Sequence, residues 1–466
     1  MAPLLLTAVL GPLALVLALT LAAGCGPGPT PGHGPSRSTG AAGVTFAQAR
    51  AGGTPGGPVV LLFSGELLGY TAPCGCTAEL QDGGIGRLAT LARQGGKEAS
   101  AVVLIDGGDL LTLETPVPAG RMDQELARSE VLLQAAAMLG YDALVPGEID
   151  LALTGGLGPL AARLSRHGLL LLSSNLRAGG PPGELGRAGL LLLSAGRLRL
   201  ALLGYTEPEL LAGSLPAALG EDEASEPWTP SSLAALVQGL RRSGATHVVV
   251  IGHAERRTAR RLLEQVQGID FWVQAHGSRE IALAEAVGQA WLLEVFSQGR
   301  RLGRLDLHPG PTGAAPFRPA HPAVESEEIA AGLRRRLAHL QRLAPADDEG
   351  ELAQLVEQTR RELVAVEQSP LPGTPGTFHW QQLRVSSDLP AAADIEELHL
   401  GFDRRLAELA QRAAKQQQGA VPLPPGEQGF AGAPACGGCH EAELRHWSLT
   451  PHAGALERLV ENGRQF

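Results

Sequence analysis

The sequence predicts an α/β domain built around a layered sheet, and three observations predict it. Short apolar runs of strand length alternate with amphipathic helical stretches from Val59 to Pro309. The first run, Val59–Phe63, ends in Ser64-Gly65, and a Gly83-Gly84-Ile85-Gly86 turn then opens a helix. A chain of 466 residues with 44% hydrophobic content has material for a sizeable core and two or three domains. Such a rhythm stacks helices on a sheet and puts the site at the strand ends.

Taken in order, residues 1–24 are apolar and uncharged and end in Leu21-Ala22-Ala23-Gly24 before Cys25. A stretch of about 20 apolar residues is long enough to span a bilayer. The small residues ahead of Cys25 instead resemble a bacterial lipoprotein signal, cleaved before a cysteine that then carries the lipid. That resemblance implies an exported chain, lipid-anchored through Cys25 at the periplasmic face of the inner or outer membrane. An uncleaved anchor would export it equally. Residues 25–57 are rich in Gly, Pro, Ser and Thr and read as a flexible linker.

From residue 58 to 310 the expected strands are Val59–Phe63, Ala101–Ile105, Ala143–Val145, Leu169–Ser173, Leu198–Leu203, His247–Ile251, Phe271–Val273 and Trp291–Val295. The helices read best at Gln124–Leu139, Leu157–His167, Ser231–Ser243 and Arg256–Val266. Residues 321–418 read as a helical segment with a Pro-rich break at 369–376, and residues 431–466 form a separate module. Net charge is −10, with Lys97 and Lys415 the only lysines and no basic patch, which argues against nucleic acid as a partner.

Five loops carry the chemistry. They read Ser64-Gly65-Glu66-Leu67-Leu68-Gly69, Ile105-Asp106-Gly107-Gly108-Asp109, Gly147-Glu148-Ile149-Asp150, Gly252-His253, and Ala275-His276-Gly277-Ser278. In order and spacing they resemble the metal-binding loops of calcineurin-like metallophosphoesterases of the 5'-nucleotidase and UDP-sugar hydrolase type. That resemblance implies a four-layer α/β sandwich and a site holding two ions about 3.5–4 Å apart around a bridging water. Leu68, Ile149 and Ser278 stand at three of the family's histidine positions. The set Glu66, Asp109, Glu148, His253 and His276 is left, oxygen-rich and suited to one divalent ion such as Mn, Ca, Zn or Fe. Equally, the carboxylates can be loop caps and the imidazoles hydrogen-bonded strand ends.

The five cysteines divide into Cys25 and two pairs. Cys74-Gly75-Cys76 lies in the first loop, and Pro73 and Asp150 add a likeness to a branch of the superfamily with a Pro-Cys-Gly-Cys loop. Two thiols at this spacing form a strained disulfide or bind a soft metal, and a redox pair is the expectation. Cys436-Gly437-Gly438-Cys439-His440 is the c-type haem attachment sequence, with thioethers to both thiols and His440 as axial ligand. With Trp447 and Thr450-Pro451-His452-Ala453 it resembles a multihaem cytochrome c module. That implies His452 as a second axial ligand, an incomplete module and further haem sites beyond Phe466.

Together these readings lead to an exported haem c lipoprotein with a degenerate metallophosphoesterase-like domain, acting in electron transfer with redox partner proteins. The alternatives are a metal-dependent phosphoester hydrolase of the 5'-nucleotidase type, or a non-catalytic module that binds a phosphate-containing small molecule.

Overall fold

The computed structural model describes residues 37–39, 45–75, 81–113, 115–177, 190–214, 224–225, 228–277, 283–343, 350–416 and 433–461. Cys25, Cys76 and Ser278 lie outside them, as do much of the expected linker and all of the expected signal. Among the described residues no helix is long and apolar enough to cross a membrane.

The first unit along the chain is β1 (Val59–Ser64), α1 (Ile85–Glu98) and β2 (Ala101–Asp106). Next come α2 (Met122–Leu139), β3 (Ala143–Leu144), α3 (Glu148–Thr154) and α4 (Leu157–Arg166). The second half holds β4 (Leu198–Thr206), α5 (Pro230–Arg242), β5 (His247–His253), α6 (Arg256–Gln265), β6 (Phe271–Gln274) and β7 (Ala290–Glu294). Beyond it lie β8 (Arg301–His308), α7 (Ala323–Leu343), α8 (Glu351–Glu367), β9 (Thr377–Arg384) and α9 (Ala393–Gln416).

These strands make two large sheets. In the first, β9, β8, β1, β2 and β3 are neighbours, with β1, β2 and β3 parallel and β8 antiparallel to β1. In the second, β4, β5, β6 and β7 run parallel, and Leu190–Ala195 adds an antiparallel strand beside β4.

Strand alternation explains the stacking, because successive side chains point to opposite faces. On β1, Val59, Leu61 and Phe63 join a core between the sheets, together with Leu200, Leu202, Val249 and Ile251. Val60 and Leu62 face the other way, onto α1, α2 and α4. On β5, Val248 and Val250 face α5 and α6 through Leu233, Val237 and Leu262. The layers are therefore helix, sheet, sheet, helix. Strands buried on both faces read as unbroken apolar runs, which is why β1, β2 and β5 are legible in the sequence.

The tail of this region departs from expectation. Residues 321–418, read as helix with a break, also supply β9, which pairs along its whole length with β8. Its Phe378 and Trp380 complete the intersheet core. Residues 433–461 carry three short helices, and neither Glu441–Ser448 nor Ala455–Glu461 buries a residue.

Candidate metal centre at the strand ends

β1 and β2 end in register at Ser64 and Asp106, and β4 and β5 end in register at Thr206 and His253. The loops leaving these ends meet over the edge where the two sheets come together. Thr206 Oγ1 donates to Pro146 O at 2.6 Å, and Asn175 grips both the amide and the carbonyl of Thr206. The second sheet is thus tied to the loop that begins α3.

Asp109, Glu148 and His253 lie at this edge with their ligand atoms within 4.8 Å of one another. His253 is fully buried, and its Nε2 is 2.7 Å from Glu148 Oε2 and 3.4 Å from Asp109 Oδ2. Its Nδ1 faces Gly107 O at 3.2 Å, and a carbonyl only accepts, so Nδ1 carries a proton whether or not Nε2 does. Nε2 is then the nitrogen presented to the carboxylates. A backbone carbonyl fixing the far nitrogen is the usual support of a metal-bound imidazole.

Glu66 and His276 complete the edge. The rings of His253 and His276 are 4.9 Å apart at a steep angle. His276 Nδ1 makes an ion pair with Glu66 Oε1 at 2.6 Å. The carboxylate beside it holds the imidazole above its ordinary range. The five residues expected to hold an ion thus lie side by side, and three of them, Asp109, Glu148 and His253, place their ligand atoms close enough together for one cation. His276 and Glu66 keep partial exposure, so the open side of the site is theirs.

The electrostatics follow from burial and pairing. Burial opposes charge on His253, but Asp109 and Glu148 overcome it and hold the imidazole well above its ordinary range. Burial would raise Glu148, but its hydrogen bond with His253 prevails and brings it down to about 2. The arrangement is an ion pair that a cation would replace.

Backbone strain concentrates here. Glu66, Leu68, Asp109 and Gln298 are the non-glycine residues with positive φ among those described, at 45°, 52°, 54° and 61°. Each such residue costs about 1–3 kcal/mol and persists only where its surroundings over-determine it. The amides show how. Glu66 N donates to Gly108 O, Leu68 N to Asp109 O and Gln298 N to Glu66 O, at 2.7–2.8 Å. Gly147 permits the closest approach, since a Cβ there would lie 1.9 Å from Asp109 Oδ1.

Two positioning groups escape a reading by loop motif alone. Asp150 accepts from Leu111 N at 2.9 Å and from Leu110 N at 3.3 Å, pinning the loop of Asp109 to α3. Burial and then the nearby Asp109 push its carboxyl up to about 8. Asp106 accepts from Ser64 Oγ at 2.6 Å, and Ser64 also meets Tyr141 Oη at 2.7 Å. Burial raises Asp106 to about 6. Both aspartates stand in the loop motifs, but only their contacts reveal a supporting task.

The other expected sites lie apart. Cys74 is an exposed free thiol in a short strand paired with Asp82–Gly83, and Cys76 falls outside the described residues. Cys436 and Cys439 are exposed free thiols on a helical turn, with His440 N donating to Cys436 O at 2.9 Å. His452 follows in the same exposed segment.

No protein-family model matches the sequence, and no curated protein matches it. Solved structures do. The sulfate thiohydrolase SoxB of Thermus thermophilus is 18% identical with a TM-score of 0.50, over 75% of this chain and 61% of that one. A 5'-nucleotidase precursor, also from Thermus thermophilus, is 15% identical with a TM-score of 0.51, over 76% of this chain and 60% of that one. The chain thus spans about 60% of the length of either. At such identity the likeness is one of fold, shared with these two proteins.

Proposed function

We propose that the α/β domain is a divalent-cation-dependent hydrolase of phosphate esters, of the 5'-nucleotidase type, working with one tightly held ion. The observation that carries this reading is the compact Asp109–Glu148–His253 cluster, buried at the sheet edge of a metallophosphoesterase-like fold. Similarity to a sulfate thiohydrolase and a 5'-nucleotidase supports the hydrolase over an electron-transfer role for this domain. Asp109, Glu148 and His253 would hold the ion, with His276 at the open side. A bound cation supplies Lewis acidity toward a phosphoryl oxygen.

The protein's own groups set the limits. Leu68 and Ile149 offer neither a ligand nor a proton, so no imidazole assists the leaving group. Loss of such an acid costs typically 10²–10⁴-fold, and turnover should fall well below the ordinary enzyme rate of about 10 per second. The test is hydrolysis of nucleoside monophosphates with Mn²⁺, beside Asp109→Asn. Slow turnover that requires Mn²⁺ and disappears in the variant is expected. Equal rates in both proteins, or no Mn²⁺ bound to either, would sink the proposal.

A second reading concerns the tail, and it rests on a separate observation. Residues 433–461 expose Trp447, Leu449, Leu456, Leu459 and Val460 as well as two free thiols, apolar material and attachment points that suit a porphyrin. We propose haem c attached through Cys436 and Cys439, with His440 and His452 as axial ligands and redox proteins as partners. The haem would supply one-electron chemistry. Export and a lipid anchor at Cys25 belong to the same proposal, since c-type haem is attached outside the cytoplasm. A pyridine haemochrome spectrum of protein matured with the attachment machinery checks it, and equal haem in Cys439→Ala would count against it.

A further inference from the structure

Away from the strand-end site, three residues meet where α7 begins. His379 is buried on β9 in register with Asp306 of β8. Its neighbours Phe378 and Trp380 point into the intersheet core, so His379 points to the opposite face, toward the first turn of α7. Glu325 in that turn places Oε2 3.0 Å from His379 Nε2. His321, just ahead of the helix, places Nδ1 3.6 Å from the other oxygen, Oε1. That is beyond a hydrogen bond. His321 Nδ1 is buried and has no hydrogen-bond partner.

One carboxylate therefore stands between two imidazoles, each oxygen facing one ring, and one ring nitrogen is unsatisfied. Buried polar atoms normally have a partner, so an orphan of this kind calls for an occupant. A cleft of about 290 Å³ opens beside it, lined by His321, Ser326, Glu367 and Ser369 among others. Of the three residues, His321 lines it.

We propose that His321, Glu325 and His379 form a second cation site, selective for a borderline transition ion such as Zn²⁺. Two imidazoles and a carboxylate are a zinc donor set, and imidazole disfavours Mg²⁺ and Ca²⁺. The ring centroids are 6.4 Å apart. Tetrahedral ligation at 2.0–2.1 Å would bring them closer by roughly 1 Å, drawing His321 inward. His321 lies in a connection between a short strand and α7, where such a shift disturbs no sheet pairing.

The experiment is a Zn²⁺ titration of the full chain against a chromophoric indicator, with all thiols alkylated first. Parent, His321→Ala, His379→Gln and Asp109→Asn proteins are compared. His321→Ala removes a ring nitrogen that makes no hydrogen bond and only a 3.6 Å contact with Glu325, so its fold should survive, as far-UV circular dichroism would verify. If His379→Gln does not fold, His321→Ala decides alone. One Zn²⁺ equivalent should weaken at least about ten-fold in His321→Ala. The same equivalent should persist in Asp109→Asn. Unchanged stoichiometry and affinity in His321→Ala, or loss of that equivalent in Asp109→Asn, would overturn the site.

Discussion

The strand-end loops and the carboxy-terminal segment, the one proposed to hold a metal ion and the other a haem, bring their residues together by opposite means. Asp109 comes from the loop after β2, Glu148 from the start of α3 and His253 from the end of β5, and the sheets bring them together among four residues of positive φ. Cys436, Cys439 and His440 come from one helical turn in a segment whose helices Glu441–Ser448 and Ala455–Glu461 bury nothing. In the first case tertiary packing makes the site. In the second, local spacing makes it, and a bound group would have to supply the core.

Stability should divide the two regions most sharply. Phe63 is buried between the sheets against Trp380, and Phe63→Ala should cost about 3–5 kcal/mol by urea denaturation. Trp447→Ala, at an exposed aromatic of the tail, should stay within about 0.5 kcal/mol in haem-free protein. Similar costs for both would mean that the tail is packed.

Asp82 tests how the first loop is held. It is buried between Arg301 Nη1 at 3.3 Å and Arg384 Nε at 3.0 Å. Burial pushes its carboxyl up, but the hydrogen bonds from Arg384 and Arg301 prevail and hold it below the ordinary carboxylate value. A carboxyl lower in the folded state stabilises fully above its unfolded value of about 3.9, and that stabilisation fades as pH falls through the folded value. Asp82→Asn should therefore cost about 1.5–3 kcal/mol at pH 7. Parent and variant should converge in acid, and a gap independent of pH would contradict the pairing.

Gly147→Ala addresses the site itself. The added Cβ would displace Asp109 Oδ1, and Mn²⁺ affinity should fall roughly ten-fold or more in a titration. Gly438→Ala has open space around it and should leave haem attachment unchanged. Smallest of all is Glu441→Gln in the tail. Its ion pair with Arg445 at 2.6 Å is 79% and 72% exposed, so its loss should shift stability by less than about 0.5 kcal/mol. A larger shift would show that the pair is shielded by something bound over it.

Legibility followed the same division. Strands buried on both faces announce themselves as apolar runs, so β1, β2, β5 and β6 were readable. The helix α9 falls inside the stretch read as helical, residues 321–418. β9 was not, because Thr377–Arg384 mixes His379, Gln381 and Gln382 with its core residues and becomes a strand only by pairing with β8. The five ion-holding candidates were visible as loop motifs. Which of them share one compact cluster, and that Asp150 and Asp106 support it, depended on contacts across long stretches of chain.

The sequence by itself determined what is local. It specified strand and helix periodicity, the residue types in each loop, and a Cys-x-x-Cys-His turn whose geometry needs only five consecutive residues. Tertiary structure alone decided what is collective: the pairing of β9, the positive φ of Glu66, Leu68 and Asp109, and the meeting of His321, Glu325 and His379. The physical reason is range. Backbone preference and side-chain alternation act over a few residues, whereas a buried ion-pair cluster exists only once two sheets have packed and excluded water around it.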